Sequence, residues 1–194
     1  MTGDKIFPYI FRMNTAEEKI TITVNTLLYI IQKLDGIGDF HKVFKILYFA
    51  DQKHLAKYGS PISEDTYIAM TNGPVPSMAY DILKSLRGQG LLATHKAQFS
   101  PYFELQKSFI VKAKMRPDLD YLSESEMQCL DESIEENRSL GFLELTEKSH
   151  DAAWNNALTD GEIDLLDIAA AGGAQHEMIE YIKENLENQF AAFE

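Results

Sequence analysis

Residues 71–86 read TNGPVPSMAYDILKSL, and their alternation of stiff and flexible residues decides how the rest of the chain is read. Proline fixes its own φ at about −65° and disfavours helix in the residue before it. Pro74 and Pro76 therefore hold Gly73 and Val75 extended. Ser77 is then placed to cap a helix that starts at Met78 and runs to about Arg87, where Gly88 and Gly90 break it. The chain arrives straight and turns sharply. Just upstream, DTYIAM (65–70) is a short strand leading into that turn.

Working outward, Thr15-Ala16-Glu17-Glu18 has capping-box spacing, and Ile20, Val24, Leu27, Leu28, Ile31 and Leu34 recur at helical intervals behind it. Gly36 and Gly38 end that helix. A second runs from about Asp39 to Tyr58 and stops at Gly59 and Pro61. Its apolar face centres on Leu47, with Phe40, Val43, Phe44, Ala50 and Tyr58. Downstream of the opening stretch, LLATHKAQF (91–99) and KSFIVKAKM (107–115) read as the two arms of a hairpin around Ser100-Pro101. Beyond Pro117 the pattern is helical, with a capping box at Ser123–Glu126, a helix around 142–149, and a last helix whose apolar face is Ile179, Ile182, Leu186 and Phe190. The expected class is mainly α with a small β-hairpin, α+β, with a winged-helix-like order of elements in the N-terminal half. The expected divisions are an arm at 1–14, a domain at 15–155 and an acidic helical segment at 156–194 packed on or beside it.

Of the 194 residues, 45% are hydrophobic, enough for a well-buried core. No apolar run approaches the ~20 residues of a membrane span. The first residues lack signal-peptide character, and the single Cys129 cannot form an intramolecular disulfide. A reducing cytoplasm is expected. The net charge of −12 is uneven: residues 1–116 carry 15 Lys+Arg against 10 Asp+Glu, residues 117–194 only 3 against 20. The acidic half is either a solvated helical surface or a face for a basic partner.

Helix, turn, helix and hairpin is the order of parts in a winged helix, which makes a DNA-binding regulator the alternative function. The groove-reading groups are few, Lys84 and Arg87 offset by Asp81, although Lys96, Lys107, Lys112 and Lys114 lie on the expected hairpin. Further on, DIAAAGGAQHEMIEYI has helix-turn-helix rhythm. Its second helix carries Glu177, Glu180, Glu184 and Glu187 against Lys183, the wrong charge for phosphate. For catalysis the candidates are Asp51 and His54, three residues apart on the core side of the second helix. A satisfied buried pair that fixes two helices is the preferred reading of them. No H-E-x-x-H, G-x-S-x-G, P-loop or G-x-G-x-x-G occurs, and the histidines share no ligand spacing. Neither enzyme chemistry nor a cofactor is expected.

Three stretches together, HKVFKILYFADQKHLAKYGSPI, DTYIAMTNGPVPSMAYDIL and LTEKSHDAAW, resemble the Panacea domain, the SocA-like antitoxin family also described as phage-associated. Its marks fall here on Lys45 and Tyr48, on Gly59, on Gly73-Pro74-Val75, and on His150 followed by Trp154. The likeness spans roughly residues 20–155. It implies a mainly helical bacterial protein with a small β element, which neutralises a toxin by direct contact. In one branch the protein is an adaptor that delivers the toxin to a protease. It implies no shared catalytic residues. On this reading Gly73–Pro76 is a rigid scaffold turn. The partner surface is sought on the outer side of the second helix, at His41, Lys45, Phe49 and Lys53, or on Glu177, Glu180, Glu184 and Glu187. Phe49 lies off the apolar face, which a second packed layer also explains.

Overall fold

A computed structural model describes residues 14–191. The arm containing KIFPYIF and the side chain of Phe190 lie outside the described residues. Helix α1 (Ala16–Lys33) opens with the Thr15–Glu18 capping box. Strand β1 (Ile37–Asp39) follows, and Asp39 caps α2 (Phe40–Tyr58) by accepting the Lys42 N–H. Strands β2 (Tyr67–Met70) and β3 (Gly73–Pro76) form a tight hairpin that runs directly into α3 (Ser77–Ser85). A short α4 (Lys96–Phe99) precedes the hairpin β4 (Phe103–Lys107) and β5 (Ile110–Ala113). The remainder is helical: α5 (Glu124–Asn137), α6 (Phe142–Ser149), α7 (Ala152–Asn156), α8 (Leu165–Ala171) and α9 (His176–Ala191).

Helix α2 is the axis of the fold. One core packs its Phe40, Val43, Phe44, Ile46, Leu47 and Ala50 against α1, α3, the β4–β5 hairpin and α5. A second packs its Tyr48, Phe49 and Leu55 against β2, α6, α8 and α9. A helix covered on most sides is apolar on most sides, which is why Phe49 sits off the single face of the wheel. At the α2–α5 crossing the buried Ser133 hydroxyl donates to the Ile46 carbonyl at 2.7 Å. Lys53–Glu136 and Lys57–Glu132 pairs flank this contact, and their exposure keeps them worth little.

The larger sheet has the order β1-β5-β4, antiparallel, with Gly38 opposite Val111. The expected hairpin is therefore displaced. Residues 91–99 are not its first arm; they form a short 3₁₀ turn and α4, where only Phe99 is buried. Phe103–Lys107 takes that place. The 91–99 segment has no two-residue alternation to offer a sheet, and Leu91 is exposed. Lys96 thus lies on a helix rather than on the hairpin.

Two further corrections concern the opening stretch. Gly73–Pro76 is itself a strand, paired with Tyr67–Met70 through a two-residue turn. Ser77 does not cap α3; the carboxylate of Asp65 accepts the Met78 and Ala79 N–H groups at 2.8 and 2.9 Å. Helix α3 packs on α1 and α2 with Ala79, Ile82, Leu83 and Ser85 buried and its other side chains only partly exposed, and the winged-helix order of elements is not confirmed. The acidic segment is integral to the fold. Ala69 N–H donates to the Gly161 carbonyl and Ile163 N–H to the Tyr67 carbonyl, so residues 161–163 run along the free edge of β2. Residue 59, at the left-handed end of α2 with φ +76°, leaves room for Tyr181 and Met178 of α9 only because it is glycine.

Replacement Asp65→Ala is expected to destabilise the fold by about 1–2 kcal/mol, while Ser77→Ala stays within about 0.5 kcal/mol. Urea unfolding of the two variants checks which residue caps α3.

Candidate functional site

The spacing of the two prolines positions the site. In a two-residue hairpin the closing pair, Met70 and Gly73, exchanges hydrogen bonds, and so does the pair two residues on, Ile68 and Val75. Pro74 and Pro76 fall at the positions between, where an N–H would point away from the ladder. Proline is tolerated there because it forfeits nothing, and β3 becomes an edge that can accept but not donate. The Pro74 carbonyl points outward to α2, where the Lys45 ammonium group donates to it at 2.8 Å.

Lys45 is 1% exposed. It makes no ion pair among the described residues, and burial lowers its pKa to about 7. The missing side chain of Gly73, at φ +94°, is what makes room. A Cβ there would collide with the Ser149 hydroxyl and lie 3.0 Å from the Lys45 Nζ.

One turn further along α2, the Tyr48 hydroxyl donates to the Asp151 carboxylate at 3.0 Å and Gln52 donates to it at 2.7 Å. Asp151 also accepts the Trp154 N–H and so caps α7. Burial first, then Asp151, pushes the Tyr48 pKa up and keeps the phenol protonated. The Trp154 indole N–H donates to the Met70 carbonyl at 3.0 Å, tying α7 to the β2–β3 turn, and the His150 ring stacks on Trp154 at 3.7 Å. The scattered residues Lys45, Tyr48, Gly73, Pro74, His150 and Trp154 thus share one polar centre. Val75 and Pro76 continue its strand. Asp151 is the hub that sequence reasoning missed; its signal was an Asp just before Ala-Ala-Trp, the place of a helix cap.

Beside this centre opens a cavity of about 500 Å³. Buried Phe40, Phe44 and Lys45 form its floor, His41, Val75 and Tyr80 its walls, and exposed Phe109 and Phe142 its lips. His41 donates to or accepts from the Thr146 hydroxyl at 3.0 Å through Nε2 and packs on Phe142 at 4.1 Å. Burial, with Lys45 second, lowers its pKa to about 4. The exposed aromatic lips had no signal in the sequence.

The outer side of α2 is not a free surface. Lys45 and Phe49 are buried, and Lys53 pairs with Glu136 at 2.7 Å. Of that group His41 and Lys45 line the cavity, and Phe49 and Lys53 do not. Asp51 and His54 are both buried but serve different partners. The Asp51 carboxylate accepts from Ile62 and Ser63 N–H and from the Ser63 and Tyr67 hydroxyls, while His54 bonds the Ser60 carbonyl through Nδ1 and Ser125 through Nε2. Glu177, Glu180, Glu184 and Glu187 are exposed on α9. No group of residues able to hold a metal ion occurs among those described, nor is any described helix long and apolar enough to cross a membrane.

Fold and site together define a mainly helical α+β scaffold that braces a hairpin edge with a buried lysine beside an aromatic-lipped cavity. The family model for the SocA-like antitoxin, Panacea domain, matches residues 43–155, and the chain belongs to that family. That span holds every residue of the polar centre. No curated protein and no solved structure matches the chain.

Because the folded protein holds Lys45 below its ordinary pKa, the stability it contributes is full above about pH 10.5 and is lost as pH falls to about 7. Lys45→Met is therefore expected to gain on the wild type in urea midpoint as pH is lowered from 10 to 7. A pH-independent difference would show that Lys45 is not held neutral. Gly73→Ala is expected to cost about 2–4 kcal/mol from left-handed strain and overpacking, measured by thermal and urea unfolding.

Proposed function

We propose that this chain is the antitoxin of a toxin–antitoxin pair, which neutralises its toxin by gripping it directly and performs no chemistry itself. The observation that carries this reading is the family match over the whole polar centre, joined to a cavity whose lips, Phe109 and Phe142, are 55% and 51% exposed. Exposed aromatic side chains around a concavity are typical anchors of a protein interface. Tyr48, Gln52 and Asp151 bond one another and the Trp154 indole bonds the Met70 carbonyl, so these groups lie where they brace, which suits a rigid platform. The charge of −12 and the glutamates of α9 favour encounter with a basic toxin. A DNA-binding role is disfavoured, since α3 packs on α1 and α2 and leaves only partly exposed side chains.

The test is a growth assay in a heterologous host. The neighbouring reading frame is expressed with and without this chain, followed by co-purification. Rescue of growth with a co-purifying complex is the expected result; neither toxicity nor complex would overturn the reading. The double variant Phe109→Ser, Phe142→Ser is expected to lose rescue while keeping its circular dichroism spectrum. Reversing the four α9 glutamates is expected to slow association most at low salt.

A further inference from the structure

We propose that the cavity beside Lys45 receives a tyrosine side chain carried on a basic segment of the partner protein; this rests on the toxin-gripping reading above. Its size is in the range of small-ligand sites, and aromatic rings supply much of the lining: Phe40, Phe44, Tyr80, Phe109 and Phe142. Such walls favour a flat ring.

Two polar groups interrupt them. The Lys45 amino group has a single hydrogen bond, to Pro74, so it retains donor capacity. The His41 ring lines the wall, held by the Thr146 hydroxyl at Nε2. A ligand completing this site brings an oxygen that accepts from the amine. Among natural side chains phenylalanine has a ring with no polar atom, and tryptophan only a donor. Tyrosine alone combines a large flat ring with an oxygen that accepts and donates.

The charge of the lining sets what flanks it. Asp39 and the exposed Asp160 are its acidic members, and Lys45, buried at the floor, is its only lysine or arginine. Carboxylates near an opening oppose an incoming carboxylate and favour a cation beside the ring, in keeping with a basic partner.

The experiment needs no toxin. The ¹⁵N-labelled full chain is titrated with tyramine, phenethylamine and 4-hydroxyphenylacetate, and with blocked Arg-Tyr-Arg and Arg-Phe-Arg tripeptides. Amide shifts are expected around His41, Asn72, Gly73, Phe109 and Phe142. Tyramine should bind about tenfold more tightly than the amine without a hydroxyl, and more tightly than the acid. The tyrosine peptide should surpass the phenylalanine peptide. Lys45→Met should erase the hydroxyl preference, and Asp160→Asn, on the surface, should reduce the preference for amine over acid, with thermal unfolding confirming that both fold. Equal response to all probes, or no shifts at the cavity, overturns the proposal. Binding of tyramine without the tyrosine peptide overturns a protein tyrosine as occupant and assigns the site to a free phenolic amine. A failed titration leaves growth rescue untouched, whereas a failed rescue with a selective titration overturns the toxin reading alone.

Discussion

A strand with proline at alternate positions accepts hydrogen bonds on its outer side but donates none, and the site is built around that constraint. Pro74 and Pro76 make β3 a permanent edge. An edge carbonyl buried against a helix needs a donor, and Lys45 supplies it from α2 at 2.8 Å. An ammonium group is an expensive way to satisfy one carbonyl, since burial without a counter-charge disfavours its charged form. What the arrangement yields is a polar contact that holds α2, β3 and, through the space left by Gly73, Ser149 of α6 at fixed separations.

The same hairpin is gripped from its other side. Strand β2 contains no proline and keeps its outer N–H and C=O groups, and residues 161–163 pair there. Trp154 holds the turn by the Met70 carbonyl, while Asp151 gathers Tyr48, Gln52 and the start of α7. Apart from the local cap that Asp151 makes on α7, these contacts join residues far apart in sequence, so the hairpin is held by tertiary bonds. The aromatic lips stand on ordered elements, Phe109 at the turn of the large hairpin, where its carbonyl accepts the Phe40 N–H, and Phe142 at the first turn of α6. An interface residue loses less freedom on binding when its backbone is already fixed.

Much of the architecture was legible because it is local. Both capping boxes, at Thr15–Glu18 and Ser123–Glu126, form as their spacing indicates, and the bounds of α2 and α6 follow from Asp39, Gly59 and the apolar rhythm. The misreadings are all non-local. Ser77 looks like a cap, yet Asp65 arrives from twelve residues upstream with two acceptor oxygens and takes both N–H groups. Residues 91–99 look like a strand, but β5 already has β1 on one side and β4 on the other. The outer side of α2 looks like a surface, and α5 and α6 cover it.

By itself, the sequence determined the long helices α1, α2 and α5 with their caps, that the GPVP stretch is rigid and extended, and which residues carry the family's marks. Periodicity, caps and proline act within a few residues of themselves, so they can be read one stretch at a time. Only the tertiary structure decided that Lys45 meets Pro74, that Asp151 joins Tyr48 to Trp154, and that Phe109 and Phe142 line one cavity. Those relations depend on how helices pack and which strand edge remains free, and burial energy is set by the whole assembled core rather than by any stretch of it.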